Sequence, residues 1–191
     1  KAAGANSWGQ LGNGNRIDSA NLVPVLRSSD MVAVAVSHAA SAGLLRNGKV
    51  LSWGSDNNDE LGDNDTTSPL FRTSPDSVKV MLAGVVQSLP KIKSIKGANH
   101  GWFWPSALER DGRFIALDST GKVYVWGKNN LGQTGFPSTV RVPRARIINF
   151  GAGLTAQSIE AGGQHGIALL SDGTVGTFGY GYAIGQGQEY K

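Results

Sequence analysis

Three stretches of the chain share one alternation of apolar and polar positions. They read GLLRNGKVLSWG over 43–54, IALDSTGKVYVWG over 115–127 and IALLSDGTVGTFG over 167–179. Each predicts strand, tight turn, strand. In the middle stretch Val123 and Val125 fall on one face, Tyr124 and Trp126 on the other. In the first, Val50, Ser52 and Gly54 oppose Leu51 and Trp53. A period of two is the signature of a sheet strand. The turns are Asn47-Gly48, Thr120-Gly121 and Asp172-Gly173. Glycine there accepts the positive backbone angle that a two-residue hairpin demands.

The hairpins belong to a longer repeat. Four segments align without a gap: Ala3–Gly12, Trp53–Gly62, Trp126–Gly135 and Phe178–Gly187. Their second and last positions are Gly in all four, and the first is aromatic in three. The steps between them are 50, 73 and 52 residues. A Gly-x-x-His pattern occurs twice, at Gly97–His100 and Gly162–His165. His165 stands eight residues before its turn glycine, whereas His100 stands 21 before Gly121, which predicts a 13-residue insert over 101–113. The rest of the long step is assigned to 78–90. In the first unit His38 is two positions off this slot and Ala40 occupies it.

About 50 residues suffice for four short strands and their turns. Such a sheet cannot bury both faces alone, but units stacked around an axis can. The expected fold is therefore all-β, a β-propeller of four-stranded antiparallel blades with about three and a half blades present. The approximate units are 3–52, 53–125, 126–177 and a partial 178–191. Burying the leading ring of each unit between neighbours is worth about 3 kcal/mol. Composition agrees: Gly is 27 of 191 residues, about twice the usual share of roughly 7%. There is no Cys, hence no disulfide framework, thiol nucleophile or thiolate metal site. No apolar run approaches the roughly 18 residues of a spanning helix.

These repeats resemble those of the regulator-of-chromosome-condensation family. The resemblance rests on Trp53-Gly54, Gln10-Leu11-Gly12, Asn129 to Gly135, Gly162 to His165 with Ala168-Leu169 and Asp172-Gly173, and on Pro24, Pro69 and Pro143 downstream. It covers nearly the whole chain. Family members usually close a ring of seven blades, so the resemblance implies an incomplete ring here. Three readings stand: part of a longer protein, a ring completed by another chain, or a small ring of four irregular blades. Lys1 in place of Met fits the first. The family also implies two functions, partner binding and guanine-nucleotide exchange on a small GTPase. It further includes chromatin-associated and photoreceptor members, the latter relying on grouped tryptophans with arginines.

Charge adds a surface to consider. The formal net charge is +4, but residues 71–150 alone carry twelve basic and four acidic groups. Lys91, Lys93, Lys96, Arg141, Arg144 and Arg146 form this basic stretch. It can attract an acidic protein, nucleic acid or an anionic surface, or be a solvated face whose lysines discourage edge pairing. No spacing of a nucleic-acid module accompanies it. The insert brings Trp102, Phe103 and Trp104 in succession. Aromatics on a loop either anchor an interface at low entropy cost or cap the adjacent blade.

Catalytic chemistry finds less footing. The three histidines lack partners at metal-ligand spacing, and His100 and His165 fill a structural slot. Asp56, Asp59, Glu60, Asp63 and Asp65 lack the calcium-loop spacing and read as a polar loop. No nucleophile elbow or phosphate loop is present. The expectation is a non-enzyme without cofactor, metal or catalytic residues: a protein–protein interaction module or structural subunit of a larger assembly. Exchange activity on a small GTPase is the alternative. The expected partners are one or more proteins, including a chain completing the propeller, with an intracellular setting favoured. Trp102, Phe103, Trp104 and the six basic residues are the candidate interaction surface.

Overall fold

A computed structural model describes residues 1–67, 70–98, 112–137 and 140–180. Fifteen strands form among them, and no helix. The first pair is β1 (Ala2–Gly4) with β2 (Ser19–Val23). A four-stranded sheet follows: β3 (Met31–Ser37), β4 (Ala40–Leu45), β5 (Val50–Ser55) and β6 (Phe71–Ser77), each antiparallel to the next. The hairpin β7 (Lys79–Leu82) and β8 (Val85–Ser88) comes next. Then come β9 (Ile92–Ala98), β10 (Arg113–Asp118), β11 (Val123–Gly127) and β12 (Val142–Ile148), again in antiparallel order. The last set is β13 (Ala156–Ala161), β14 (His165–Leu170) and β15 (Val175–Gly179).

Uniform four-stranded sheets are not what forms. The sheets have two, four, six and three strands. The six arise because β7 joins β12 through one parallel bridge, Val80 to Ala145. Thus the surplus sequence of 78–90 becomes a hairpin on a sheet edge. Its tip holds Ala83 and Gly84 at positive φ, 50° and 80°.

The alternation of side chains divides the interior into two cores. Phe114, Ala116, Tyr124 and Trp126 face a core shared with Ala40, Ala42, Leu44 and Val50. Ile115, Leu117, Val123 and Val125, from the opposite face, join Ala168, Leu170 and Phe178. The sheet β9–β12 is therefore buried on both sides, with β10 and β11 buried along their full length. This is the propeller-like stacking that the repeats call for, and it accounts for strands that read as almost continuous apolar runs.

The aromatic-Gly segments occupy matching places. Trp53 lies in β5, Trp126 in β11 and Phe178 in β15, each third in its antiparallel series. Register agrees: Gly54 pairs with Ala40, Gly127 with Arg113 and Gly179 with His165. Those glycines hold φ of 99°, 104° and 129°. A Cβ there would strike the backbone of the preceding hairpin loop, at Ala39, Gly112 and Gln164. Arg113, not His100, therefore stands where His165 stands. The insertion must end before it, since Arg113 is already the first residue of β10.

Candidate partner interface

One set of contacts joins consecutive units, and it shows how much of the sequence is spent on scaffold. The indole Nε1 of Trp53 donates to the Gln10 carbonyl at 2.9 Å, and that of Trp126 donates to the Glu60 carbonyl at 2.9 Å. Phe178 lacks a donor but takes the same seat. Cβ atoms added at Gly12, Gly62 and Gly135 would meet Trp53, Trp126 and Phe178 respectively. Each ring thus lies on the closing glycine of the preceding ten-residue segment. At the opposite end of the strands, Ile92 N–H donates to the Gly48 carbonyl and Ala156 N–H to that of Gly121. The first two hairpin turns are thus each tied forward to the next unit.

Inside the segment an amide side chain organises the loop. Asn6 Oδ1 accepts from Leu11 N–H and Asn129 Oδ1 from Thr134 N–H, both at 2.9 Å. The second unit places Asp56 in that slot, accepting from Leu61 N–H at 2.9 Å. Gln10 and Gln133 accept from the backbone two residues earlier, and Glu60 replaces them in kind. Asp59, at φ 62°, stands where Gly9 and Gly132 hold 77°.

The acidic run is therefore only in part a polar loop, with Asp63 and Asp65 half-buried. Asp56, Asp59 and Glu60 are buried because they fill scaffold positions. Burial pushes the Asp56 carboxyl up to about 8, and the neighbouring Asp63, Glu60 and Asp59 push the same way. Burial also raises Glu60 and Asp59, the latter opposed by Arg141.

The six candidate cations do not form one patch. Arg141 donates to the Asn57 carbonyl and lies 3.5 Å from Asp59. Arg144 donates to Asn64 Oδ1 at 2.7 Å. Arg146 sits over the Phe136 ring, 3.8 Å from its centroid. Lys96 bonds Glu160 at 2.7 Å, which holds that carboxyl below its usual range. Lys91 precedes β9 at the hairpin-turn end, its stem against Gly48. Lys93 lines a cleft of about 640 Å3 between β9 and β13. β9 runs from Ile92, beside Lys91, to Ala98, so the chain enters the insertion at the end remote from Lys91.

Trp102, Phe103, Trp104 and His100 lie outside the described residues. His165 packs its ring against Gly162, and its carbonyl accepts from Gly162 N–H at 2.9 Å. The buried Arg113, which sequence reasoning placed in the insert, donates to the carbonyls of Gly162 and His165 at 2.8 and 2.7 Å. An arginine in a strand register otherwise held by Ala and His was the available signal for this bridge between units.

Comparison with known proteins agrees with the geometry. Residues 120–169 match the regulator of chromosome condensation (RCC1) repeat. The human E3 ubiquitin-protein ligase HERC2 is 27% identical over 192 residues, covering 96% of this chain and 4% of the relative. Yeast RCC1 (Prp20), solved bound to Kap60, superposes with TM-score 0.70 at 19% identity, covering 98% of this chain and 41% of that one. Prp20p from Saccharomyces cerevisiae, in a structure described with its binding properties to Gsp1p and histones, gives 0.62 at 21%, covering 84% and 36%. The chain thus spans a small fraction of HERC2 and under half of the yeast structures. It carries an RCC1-like repeat region in an RCC1-like, propeller-type β fold. These matches correct the expectation of a non-enzyme. The fold is shared with RCC1 (Prp20), from the family whose members include exchange factors, and HERC2 is a ligase by name.

Proposed function

We propose that the chain is a protein-interaction and regulatory module of the RCC1 type, acting on a small GTPase as a guanine-nucleotide exchange factor. The observation that carries this reading is the break in the repeat between β9 and β10. Elsewhere, the β7–β8 hairpin apart, the in-register rings, glycines and amides leave little sequence beyond the scaffold. There, thirteen residues separate Ala98 from Gly112, among them Trp102, Phe103 and Trp104. The yeast relatives bind Kap60 and Gsp1p, which supports protein partners here, and Gsp1p is a small GTPase.

Exchange suits a scaffold of this kind. An exchange factor binds the nucleotide-free GTPase more tightly than the nucleotide-bound form and so shifts the population. That work needs a rigid, shaped surface and no nucleophile. On this reading β3–β6 and β9–β12 are each one blade, with β7–β8 an addition. β13–β15 are three strands of another blade, and β1–β2 the outer half of a fourth. An intracellular setting follows from a GTPase partner.

The test is nucleotide release from a panel of small GTPases, measured with the full gene product and with the W102A/W104A double variant. Accelerated release that falls at least tenfold in the variant, with thermal stability kept, is the expected result. Absence of acceleration across the panel defeats the exchange reading. Unchanged capture of protein partners by the variant defeats the assignment of the insert.

A further inference from the structure

The hairpin-turn end of the first complete sheet holds a cleft of about 650 Å3, lined among others by Arg27, Asp30, Arg46, Lys49, Leu45 and Leu51. We propose that this cleft binds an acidic peptide segment of a partner protein, its carboxylates on the cations and an apolar side chain against the two leucines. The proposal extends the interaction-module reading to a second surface and does not require exchange activity.

The repeat itself shows that these cations are extra. Arg46 N–H donates to the Asp30 carbonyl at 2.8 Å, Ser119 N–H to Lys91 at 3.0 Å and Ser171 N–H to Thr155 at 2.8 Å. Arg46 is thus the counterpart of two serines, so the turn does not need a guanidinium there. The next position but two is Lys49, Lys122 or Thr174, each accepting the same backbone bond at its carbonyl. Arg46 and Lys49 are exposed and make no ion pair among the described residues. Arg27 is held only loosely, 3.9 Å from Asp76 and 3.4 Å from the Pro75 carbonyl. Lys91, lying along Gly48, adds a cation beside the rim.

Backbone strain points to the same rim. Arg27 and Asp30 both hold positive φ, 51° and 65°. For non-glycine residues this costs of order 1 kcal/mol each. Such strain persists where the side chain is worth more than the relief a glycine would bring. Arg27 and Asp30 are both among the residues that line the cleft.

The chemistry favours a peptide over nucleic acid. A backbone-tracking groove combines a stripe of cations with aromatic platforms. Here three cations surround one hollow, no ring is among its lining residues, and its apolar floor is aliphatic. Recognition of acidic motifs by clustered arginines and lysines has the same composition.

The experiment is fluorescence anisotropy with a labelled Asp/Glu-rich peptide carrying interspersed leucines. Its Asn/Gln counterpart and a short DNA duplex serve as comparison probes. The expected result is binding of the acidic peptide alone, weakened at least tenfold by R46E/K49E and steeply by added salt. R141E, altered at the other end of the strands, and W102A/W104A should leave it unchanged. These last two separate this surface from the insert. Because Arg46 and Lys49 are exposed, thermal melts of R46E/K49E should match the parent. No binding at low salt, tighter binding of the duplex, or equal binding by R46E/K49E would overturn the proposal.

Discussion

At Asp56 one residue departs from its own repeat. Asn6 and Asn129 fill the same slot with an amide that accepts from the loop backbone and donates onward. Asn6 Nδ2 donates to the Asn15 and Ile17 carbonyls, and Asn129 Nδ2 to that of Val140. An ionised carboxylate can do only the first half. With its pKa pushed up to about 8, Asp56 holds a proton in the folded state over a range where the unfolded chain has lost it. Stability is then fully present below about 4 and declines as pH rises toward 8. Asp56→Asn restores the amide, and we expect it to raise stability by about 1–2 kcal/mol at pH 8 and to flatten the decline. Denaturant melts at pH 5, 7 and 9 read both effects. A parent protein whose stability rises over that range through this site would contradict the argument.

Across each sheet, the glycine following the ring is constrained twice, by a positive φ and by the backbone facing it. Gly127 has φ 104° and a Cβ there would collide with the Gly112 carbonyl. Strain and overlap together make Gly127→Ala cost at least about 2 kcal/mol. The same change at Gly84, with φ 80° and open space around it, should cost about 1 kcal/mol from strain alone. Urea unfolding of the two variants compares them directly. Much at this scale was legible in the sequence. Period-two patterning located β5, β11 and β15, and the Asn-Gly and Asp-Gly turns fell where expected. What patterning does not encode is the edge partner of a strand. β7 joins β12 through a bridge at Val80 and Ala145, a pairing across more than sixty residues that no local period announces. Linear charge misled for a similar reason. The six cations share one stretch of sequence, yet antiparallel strands carry Lys91 to one end and Arg141 to the other.

For the molecule as a whole, burial is unequal among the sheets, and so should be resistance to opening. β10 and β11 are covered on both faces. By contrast β3 leaves Val32, Val34 and Val36 exposed at 51%, 71% and 64%, and Ile167, Leu169 and Val175 are exposed on β14 and β15. A sheet with one uncovered face gains roughly half the apolar transfer energy per strand, while its backbone ordering costs the same. Local opening free energies range from near zero up to the global value along such a gradient. Native-state hydrogen exchange should therefore find the slowest amides in β10 and β11, exchanging only through global unfolding. β13–β15 should open earlier and β1–β2 earliest, since Leu22 is 66% exposed. Phe114→Ala, at a side chain with 0% exposure, should cost about 3–5 kcal/mol and lower protection in both flanking sheets, because that ring lies in the core they share. Uniform protection across all sheets would mean that the units unfold as one body, and that coupling through the Trp126–Glu60 and Arg113–Gly162 bonds outweighs the difference in burial.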